Sequence, residues 1–193
     1  LPERLIVVGS GVTGAEFASA YLALGVVSLE RHDITAASAA LEESGVRTRR
    51  NRGQSYAALQ RLLDVRLLAM TEGARSALDL LRSPGADSPP GELAGDLRTA
   101  IEARLLLSVS DTTAASMLLA TSTTSPALAT VRIDAELANG NVGAAATQLG
   151  RWRPDEAQPL QVVEHALCRA EVCAAGDDAS EAESAVLDAV AAA

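Results

Sequence analysis

The sequence predicts a mainly α-helical protein, with a short strand-turn-helix segment at its start and an array of paired helices after it. Three observations predict this class. Ala and Leu abound while aromatic residues make up only 2% of the chain, which is typical of closely packed helices. A glycine-rich turn follows an apolar run near the start, and a turn with a helix start recurs every 30 to 39 residues afterwards.

Composition excludes several classes of function. The 193 residues are 48% hydrophobic and 21% charged, as in folded globular proteins. All 16 basic residues are Arg, so no lysine is present for a Schiff base or for a Walker-type phosphate loop. The formal net charge of −9 argues against direct binding of nucleic acid and of anionic membranes.

Cysteine content and hydropathy indicate the compartment. Cys168 and Cys173 are too few for a disulfide framework, and no apolar segment is long enough for a signal or a membrane span, so we expect a cytoplasmic protein. We expect both cysteines to be structural, and His165 adds too little for a metal site. The chain starts at Leu1 without Met and stops in a helix-like run, so we expect a piece of a longer protein.

One local cluster of positive charge stands out, the stretch RTRRNR with Arg47, Arg49, Arg50 and Arg52. Four guanidiniums can hold phosphates, but no aromatic residues interleave with them for base stacking. A solvated connection between helices is the favoured interpretation, and nucleic-acid contact is the alternative.

The opening stretch RLIVVGSGVTGAEFASAYLALGV, residues 4 to 26, predicts a strand, a turn and a helix. RLIVV is an apolar run of the kind buried in parallel sheets, and glycines follow it in the spacing G-x-G-x-x-G. Gly9 makes a tight turn, Gly11 lets backbone amides approach a pyrophosphate, and Gly14 lets the helix pack on the strand. The helix is predicted to end at Gly25.

This stretch resembles the start of the NAD(H)-binding, Rossmann-like domain of the pyridine nucleotide-disulfide oxidoreductases, the dihydrolipoamide dehydrogenase group in particular. The leading Leu-Pro and the run of Gly14, Glu16, Phe17 and Ala18 carry the resemblance. It implies that Glu16 lies toward the nicotinamide and that an acid ending a second strand, Glu30 in VVSLE, binds the ribose. The implied NAD(H)-binding residues are Gly9, Ser10, Gly11, Val12, Thr13, Gly14, Glu16 and Glu30.

The rest of that family's machinery has no counterpart in the sequence. The family carries a flavin-binding domain, a redox-active cysteine pair and a catalytic His and Glu, none of which can be matched here. After VVSLE and VRTRR no further apolar strand follows, although a dinucleotide fold needs several. We therefore expect no catalysis from this chain, and an NAD(H)-binding fragment of a flavin-dependent oxidoreductase is the alternative.

Five copies of a turn followed by a helix start fill the remaining chain. Their anchor residues are Asp33, Glu72, Asp111, Asn141 and Asp178, at spacings of 39, 39, 30 and 37 residues, which are helical-hairpin lengths. The residues four before the anchors are Leu29, Leu68, Leu107, Leu137 and Ala174. Those four after are Ala37, Ser76, Ala115, Ala145 and Ala182, and those eight after are Leu41, Leu80, Leu119, Leu149 and Val186.

This pattern has a direct physical meaning. Asp and Asn at the anchors are N-cap residues, so they predict the start of the second helix in each pair. Small and large residues alternate on one face of that helix, which admits a partner helix closely. Stacked hairpins bury such faces together, whereas one irregular helical bundle is the alternative.

The stretches RIDAELANGNVGAAATQLGRW and EHALCRAEVCAAGDDASEAESAVLDAV are similar to the tetratricopeptide-like helical domain of large ATP-binding LuxR-type transcription regulators, the MalT-like group. The resemblance implies a non-catalytic module that binds or senses a protein or a small-molecule ligand on its helical surface. Trp152 in GRWRP is a candidate partner anchor, with a packing role as the alternative.

We expect a composite chain. Residues 1–28 form the dinucleotide-fold-like fragment and residues 29–193 the helical repeat array, with a Pro- and Gly-rich loop at 82–92 that separates two hairpins from three. A natural fusion, a truncated gene product and an assembly artefact stay open as origins of the composite.

Overall fold

A computed structural model describes residues 14–51, 54–83, 92–122, 125–156 and 158–193, and within these ranges it contains ten α-helices and no strand. The helices are α1 (Gly14–Glu30), α2 (Ile34–Asn51), α3 (Gln54–Thr71), α4 (Ala74–Arg82), α5 (Glu92–Ser108), α6 (Thr112–Ala120), α7 (Pro126–Ala138), α8 (Val142–Arg151), α9 (Pro159–Ala175) and α10 (Ala179–Ala192). The prediction of a mainly α protein is confirmed. The predicted strand RLIVV lies outside the described residues.

Short turns join the helices into pairs, and the predicted anchors lie at these turns. Asp33, Asp111, Asn141 and Asp178 each directly precede a second helix. The carboxylates of Asp33, Asp111 and Asp178 accept hydrogen bonds from the backbone amides three residues further on, at 2.9, 3.0 and 3.1 Å. These bonds satisfy amides that have no partner within the helix, which is why the helices start there.

The predicted register is wrong by one residue at α4. Gly73, not Glu72, precedes this helix, and its φ of 97° is a conformation that side-chain-bearing residues rarely adopt. The buried pair on α4 is consequently Ala77 and Leu81, one position after the predicted Ser76 and Leu80.

The predicted face of alternating small and large residues is buried on α2 and α6, but on α10 different residues are buried. Ala37 with Leu41 and Ala115 with Leu119 are buried as predicted, whereas Val186 on α10 is 45% exposed. On α10 the buried residues are Ala185 and Ala189. Before the anchors, Leu29 is buried, Leu68, Leu107 and Leu137 are half-buried, and Ala174 is exposed.

The helix end predicted at Gly25 is wrong, and so is the second strand predicted at VVSLE. Helix α1 continues through Gly25 to Glu30. A Cβ atom built on Gly25 would stand 2.7 Å from Cδ2 of Leu41, so this glycine lets α2 approach α1 closely instead of ending the helix. The boundary expected between residues 28 and 29 falls inside this helix, and VRTRR lies in α2.

The chain divides into two compact units, residues 1–91 and 92–193, and the division falls within the segment predicted as a loop. One buried cluster of the first unit contains Leu22, Leu29, Ala37, Leu41 and Leu63. Among the described residues of the second unit, one buried cluster contains Ala100, Ala103, Leu119, Leu128, Val131 and Ala135, and another contains Ile133, Ala145, Trp152, Cys168 and Val172.

Odd-numbered helices also contact one another within each unit. Helix α1 packs on α3 in the first unit, and α7 packs on both α5 and α9 in the second. None of the helices in the described ranges is long and apolar enough to cross a membrane.

Candidate functional site

A cleft of about 290 Å³ opens in the second unit where α7, α8 and the turn after α8 meet. This volume is at the lower end of the range for small-molecule sites in proteins. We call it the Trp152 pocket, and its lining residues are Ser125, Ala129, Arg132, Gln148, Arg151, Trp152 and Arg153.

Arg132 on α7 is held against the end of α6. Its Nη2 donates hydrogen bonds to the carbonyl oxygens of Leu119 and Ser122, each at 3.1 Å. The last carbonyls of a helix have no partner within it and lie at the negative end of the helix dipole, so a guanidinium is favoured there. One cation of the pocket is therefore fixed by its own packing.

Trp152 forms part of the core and part of the pocket wall. Helix α8 ends at Arg151, and Trp152 follows with an extended backbone. Its side chain is only 7% exposed and belongs to the cluster around Ile133 and Cys168. Its ring meets the His165 ring edge-on, with 5.2 Å between the centroids and 67° between the planes, a favourable aromatic geometry.

Two buried polar atoms of the pocket-lining residues have no hydrogen-bond partner in the described part of the chain, Nε1 of Trp152 and Oγ of Ser125. An unsatisfied buried donor or acceptor costs about 1–3 kcal/mol, and most such groups in native proteins are satisfied.

The electrostatics of the pocket are positive. Its described lining contains three guanidiniums and no carboxylate, although the whole chain has a net charge of −9. Arg151 and Arg153 are exposed, and Arg153 donates to the carbonyl of Gly150 at 2.5 Å.

His165, whose ring contacts the Trp152 ring, adds little to the positive charge of the pocket. Burial lowers the pKa of His165; a hydrogen bond to the backbone of Leu149 raises it, and the charges of Arg169 and Arg153 lower it further. The imidazole is thus neutral near pH 7 and acts through its ring contact.

A second polar cluster lies where α5, α7 and α9 meet. Burial raises the pKa of Asp134 to about 6, while the charge of Arg104 lowers it and that of Glu171 raises it.

Burial, aided by Asp134, Glu171 and Glu164, raises the pKa of the Cys168 thiol to about 12, so this thiol is a poor nucleophile. Both cysteines are free thiols. No group of three or more His, Cys, Asp or Glu within the described ranges is placed to hold a metal ion.

Most of the predicted NAD(H)-binding residues cannot be placed. Gly9, Ser10, Gly11, Val12 and Thr13 lie outside the described residues. Gly14 is the first residue of α1 and Glu16 lies in its first turn, so a helix does begin where the glycine motif ends.

Glu30 lies at the far end of the same helix. It follows Gly14 by 16 residues, which is about 24 Å along an α-helix. Its Oε1 is 2.6 Å from Nη2 of Arg66 on α3. Glu30 therefore does not end a second strand, and the implied placement beside the glycine turn lacks that strand.

The RTRRNR cluster was predicted to connect two helices, but most of it belongs to helix α2. Arg47, Arg49 and Arg50 lie in the last turns of α2, and their side chains, like all of Arg52, lie outside the described residues.

Trp152 is a candidate anchor from the sequence, but no sequence pattern groups it with the other residues of the pocket. Ser125, Arg132 and Gln148 come from separate turns and helices, and only packing of α7 on α8 brings them together. The one local signal was the pair of arginines that flank Trp152 in RWR.

Comparison with known proteins returns nothing for this chain: no family model, no curated protein and no solved structure matches it. Both family resemblances therefore stay predictions, and the geometry of the Trp152 pocket bears on function most directly.

Proposed function

We propose that this chain is a non-catalytic helical-repeat module that binds or senses a ligand, of the kind found in large LuxR-type ATP-dependent transcription regulators. One observation carries the proposal. The Trp152 pocket combines three guanidiniums with a buried indole N–H that has no acceptor among the described residues. Such a donor set is suited to holding a ligand.

The helix pairs support the repeat part of the proposal. The predicted anchors precede the second helices of four pairs, and the odd-numbered helices of the second unit contact their neighbours in sequence, α5 with α7 and α7 with α9. Stacked hairpins with this connectivity present a continuous surface to a partner.

The chemistry of the pocket supports binding over catalysis. Arginine stays protonated at all accessible pH values, so it binds anions well but does not exchange protons readily. Cys168, the thiol in the buried cluster around Trp152, has its pKa raised to about 12 by burial.

Nuclear magnetic resonance of the indole N–H tests the proposal, because Trp152 is the only tryptophan of the chain and gives one indole signal. We would titrate the whole chain separately with monosaccharides, nucleotides, small carboxylates and small amines. A saturable shift of the indole signal by one class, with the signals of α3 and α4 unmoved as an internal control, is the expected result. A signal that no class shifts would contradict the proposal.

NAD(H) binding by the opening segment is a second candidate, and one observation favours it: α1 begins at Gly14, where the glycine motif requires a helix start. Calorimetric titration with NADH tests it. Saturable heat that Gly11→Ala removes would support the candidate, because a methyl group at that position blocks the approach of the pyrophosphate. The absence of heat from the parent chain would end it.

A further inference from the structure

We infer that the Trp152 pocket takes a small organic oxyanion, a carboxylate or phosphate group carried on a flat apolar ring. This inference rests on the proposed function and names the class of ligand for the same site. Charge, hydrogen-bond complementarity and the shape of the cleft each point to this class.

The charge of the lining selects an anion. Arg132, Arg151 and Arg153 line the cleft, and no carboxylate among the described lining residues offsets them. A guanidinium presents paired donors that match two oxygens of a carboxylate or phosphate, which gives short charge-assisted bonds. The three guanidiniums repel a cationic ligand.

The buried indole selects an acceptor. Trp152 is 7% exposed, its Nε1 is buried without a partner, and an indole can only donate. A carboxylate is likewise only an acceptor, so one of its oxygens can satisfy the indole while the other pairs with an arginine. A neutral ligand could accept from the indole but would gain no charge-assisted hydrogen bond from the guanidiniums.

The remaining wall and the volume select a small ring. The Trp152 ring and Ala129 provide apolar surface next to the cationic groups. The volume of about 290 Å³ equals the space of about ten water molecules. This space suits one ring with one acidic group.

Four small probes separate these requirements in the unmodified chain. Benzoate and phenyl phosphate carry both the ring and the anion, benzamide keeps the ring without the charge, and inorganic phosphate keeps the charge without the ring. Binding is read as the change in fluorescence of Trp152, the chain's single tryptophan. We expect benzoate or phenyl phosphate to bind at least tenfold more tightly than the other two probes, and the affinity to fall between 50 and 500 mM salt.

Substitutions of the exposed arginines provide the matched test. Arg151→Gln and Arg153→Gln should each weaken binding of the favoured probe by about tenfold, since each removes a charge-assisted hydrogen bond. Arg75→Gln, which removes an exposed arginine of the first unit, should leave the affinity unchanged. Circular dichroism of each variant checks that the helices persist, and Arg151→Lys should retain part of the affinity because it keeps the charge.

The outcomes that overturn the inference differ from those that overturn the proposed function. If benzamide binds as tightly as benzoate, the ligand does not need a negative charge. If inorganic phosphate binds as tightly as phenyl phosphate, the ligand does not need a ring. If none of the four probes binds while a sugar or an amine shifts the indole signal, the inference is wrong and the module stands. If no class of compound moves that signal, both are wrong.

Discussion

At the scale of single residues, the glycines of this chain serve two different purposes. Gly25 lies within α1, where the missing side chain admits Leu41 of α2. Gly73 precedes α4 with a φ of 97° and has no atom near the place of a side chain, so it is needed for its backbone conformation. Sequence position did not distinguish these uses, because both glycines follow an apolar helical run.

Gly25→Ala should destabilise the first unit. The added methyl group would lie 2.7 Å from Cδ2 of Leu41, so the two helices must separate or the leucine must change rotamer. Such overpacking costs about 1–3 kcal/mol, and the higher helix propensity of Ala offsets at most about 1 kcal/mol of this cost. Chemical denaturation followed by circular dichroism measures this loss. Gly143→Ala is the control, because Gly143 has no neighbouring atom within 4 Å, and it should leave stability unchanged or raise it by up to about 1 kcal/mol. Equal effects of the two substitutions would contradict the close contact.

The N-cap residues differ in the bonds that they make. The carboxylate of Asp111 accepts a hydrogen bond from the amide of Ala114 at 3.0 Å, whereas Asn141 makes no side-chain cap bond at the equivalent position. Asp111→Ala should therefore cost about 1 kcal/mol of unfolding free energy, and Asn141→Ala clearly less. Urea denaturation of the two variants provides the comparison, and a larger loss for Asn141→Ala would show that the capping assignment is wrong.

At the scale of helices, α7 organises the second unit. It contacts α5, α6, α8 and α9, and it carries Arg132 at the pocket and Asp134 at the second polar cluster. The carboxylate of Asp134 lies in a partly buried setting with Arg104 of α5 and Glu171 of α9 as its charged neighbours. The packing of this helix is therefore linked to pH.

The direction of that linkage follows from the pKa of Asp134, which is about 6 in the folded chain against an ordinary value of 3.8. The folded state holds the proton more tightly than the unfolded state, so this group favours folding most below about pH 4, and its contribution is lost as the pH rises to about 6. Asp134→Asn removes the titration, so the variant should gain melting temperature relative to the parent at pH 7.5 but not at pH 4.

Thermal denaturation of both proteins at the two pH values measures this difference. Asp79→Asn on α4 is the control, since it removes an exposed carboxylate from the other unit. If the Asp134→Asn difference is the same at both pH values, the pKa of Asp134 is not raised in the folded chain.

At the scale of the whole molecule, each unit has its own buried residues. The described clusters of the second unit draw on residues between Ala100 and Val172, and the described cluster of the first unit draws on residues between Leu22 and Leu63. A domain with its own core can fold by itself.

A fragment of residues 92–193 should thus fold and keep the Trp152 pocket. We expect a helical circular dichroism spectrum, a cooperative thermal transition, and Trp152 emission like that of the full chain, because the cluster around Trp152 lies wholly within the fragment. An unfolded fragment, or Trp152 emission shifted to that of water-exposed indole, would show that the second unit depends on the first.

Features that depend on a few neighbouring residues follow from the sequence, whereas features that depend on tertiary contacts do not. The anchors Asp33, Asp111 and Asp178 were placed correctly because an N-cap acts on amides only three residues away. The end of α1 and the register of α4 were wrong because both depend on what a glycine meets in space or on its backbone angles. The pocket was not predicted as a group because its lining residues come from different parts of the chain, and hydrogen bonds to the end of α6 hold Arg132 in place.

The helical class of this protein and most of the turns between its paired helices follow from the sequence alone. These features follow from composition, from capping and from proline and glycine content, all of which act over a few residues. Three other features depend on tertiary packing: Glu30 pairs with Arg66, Gly25 admits Leu41, and Trp152 lines a cleft with three arginines. These contacts join residues from different helices, and packing selects among the many that the same local patterns allow.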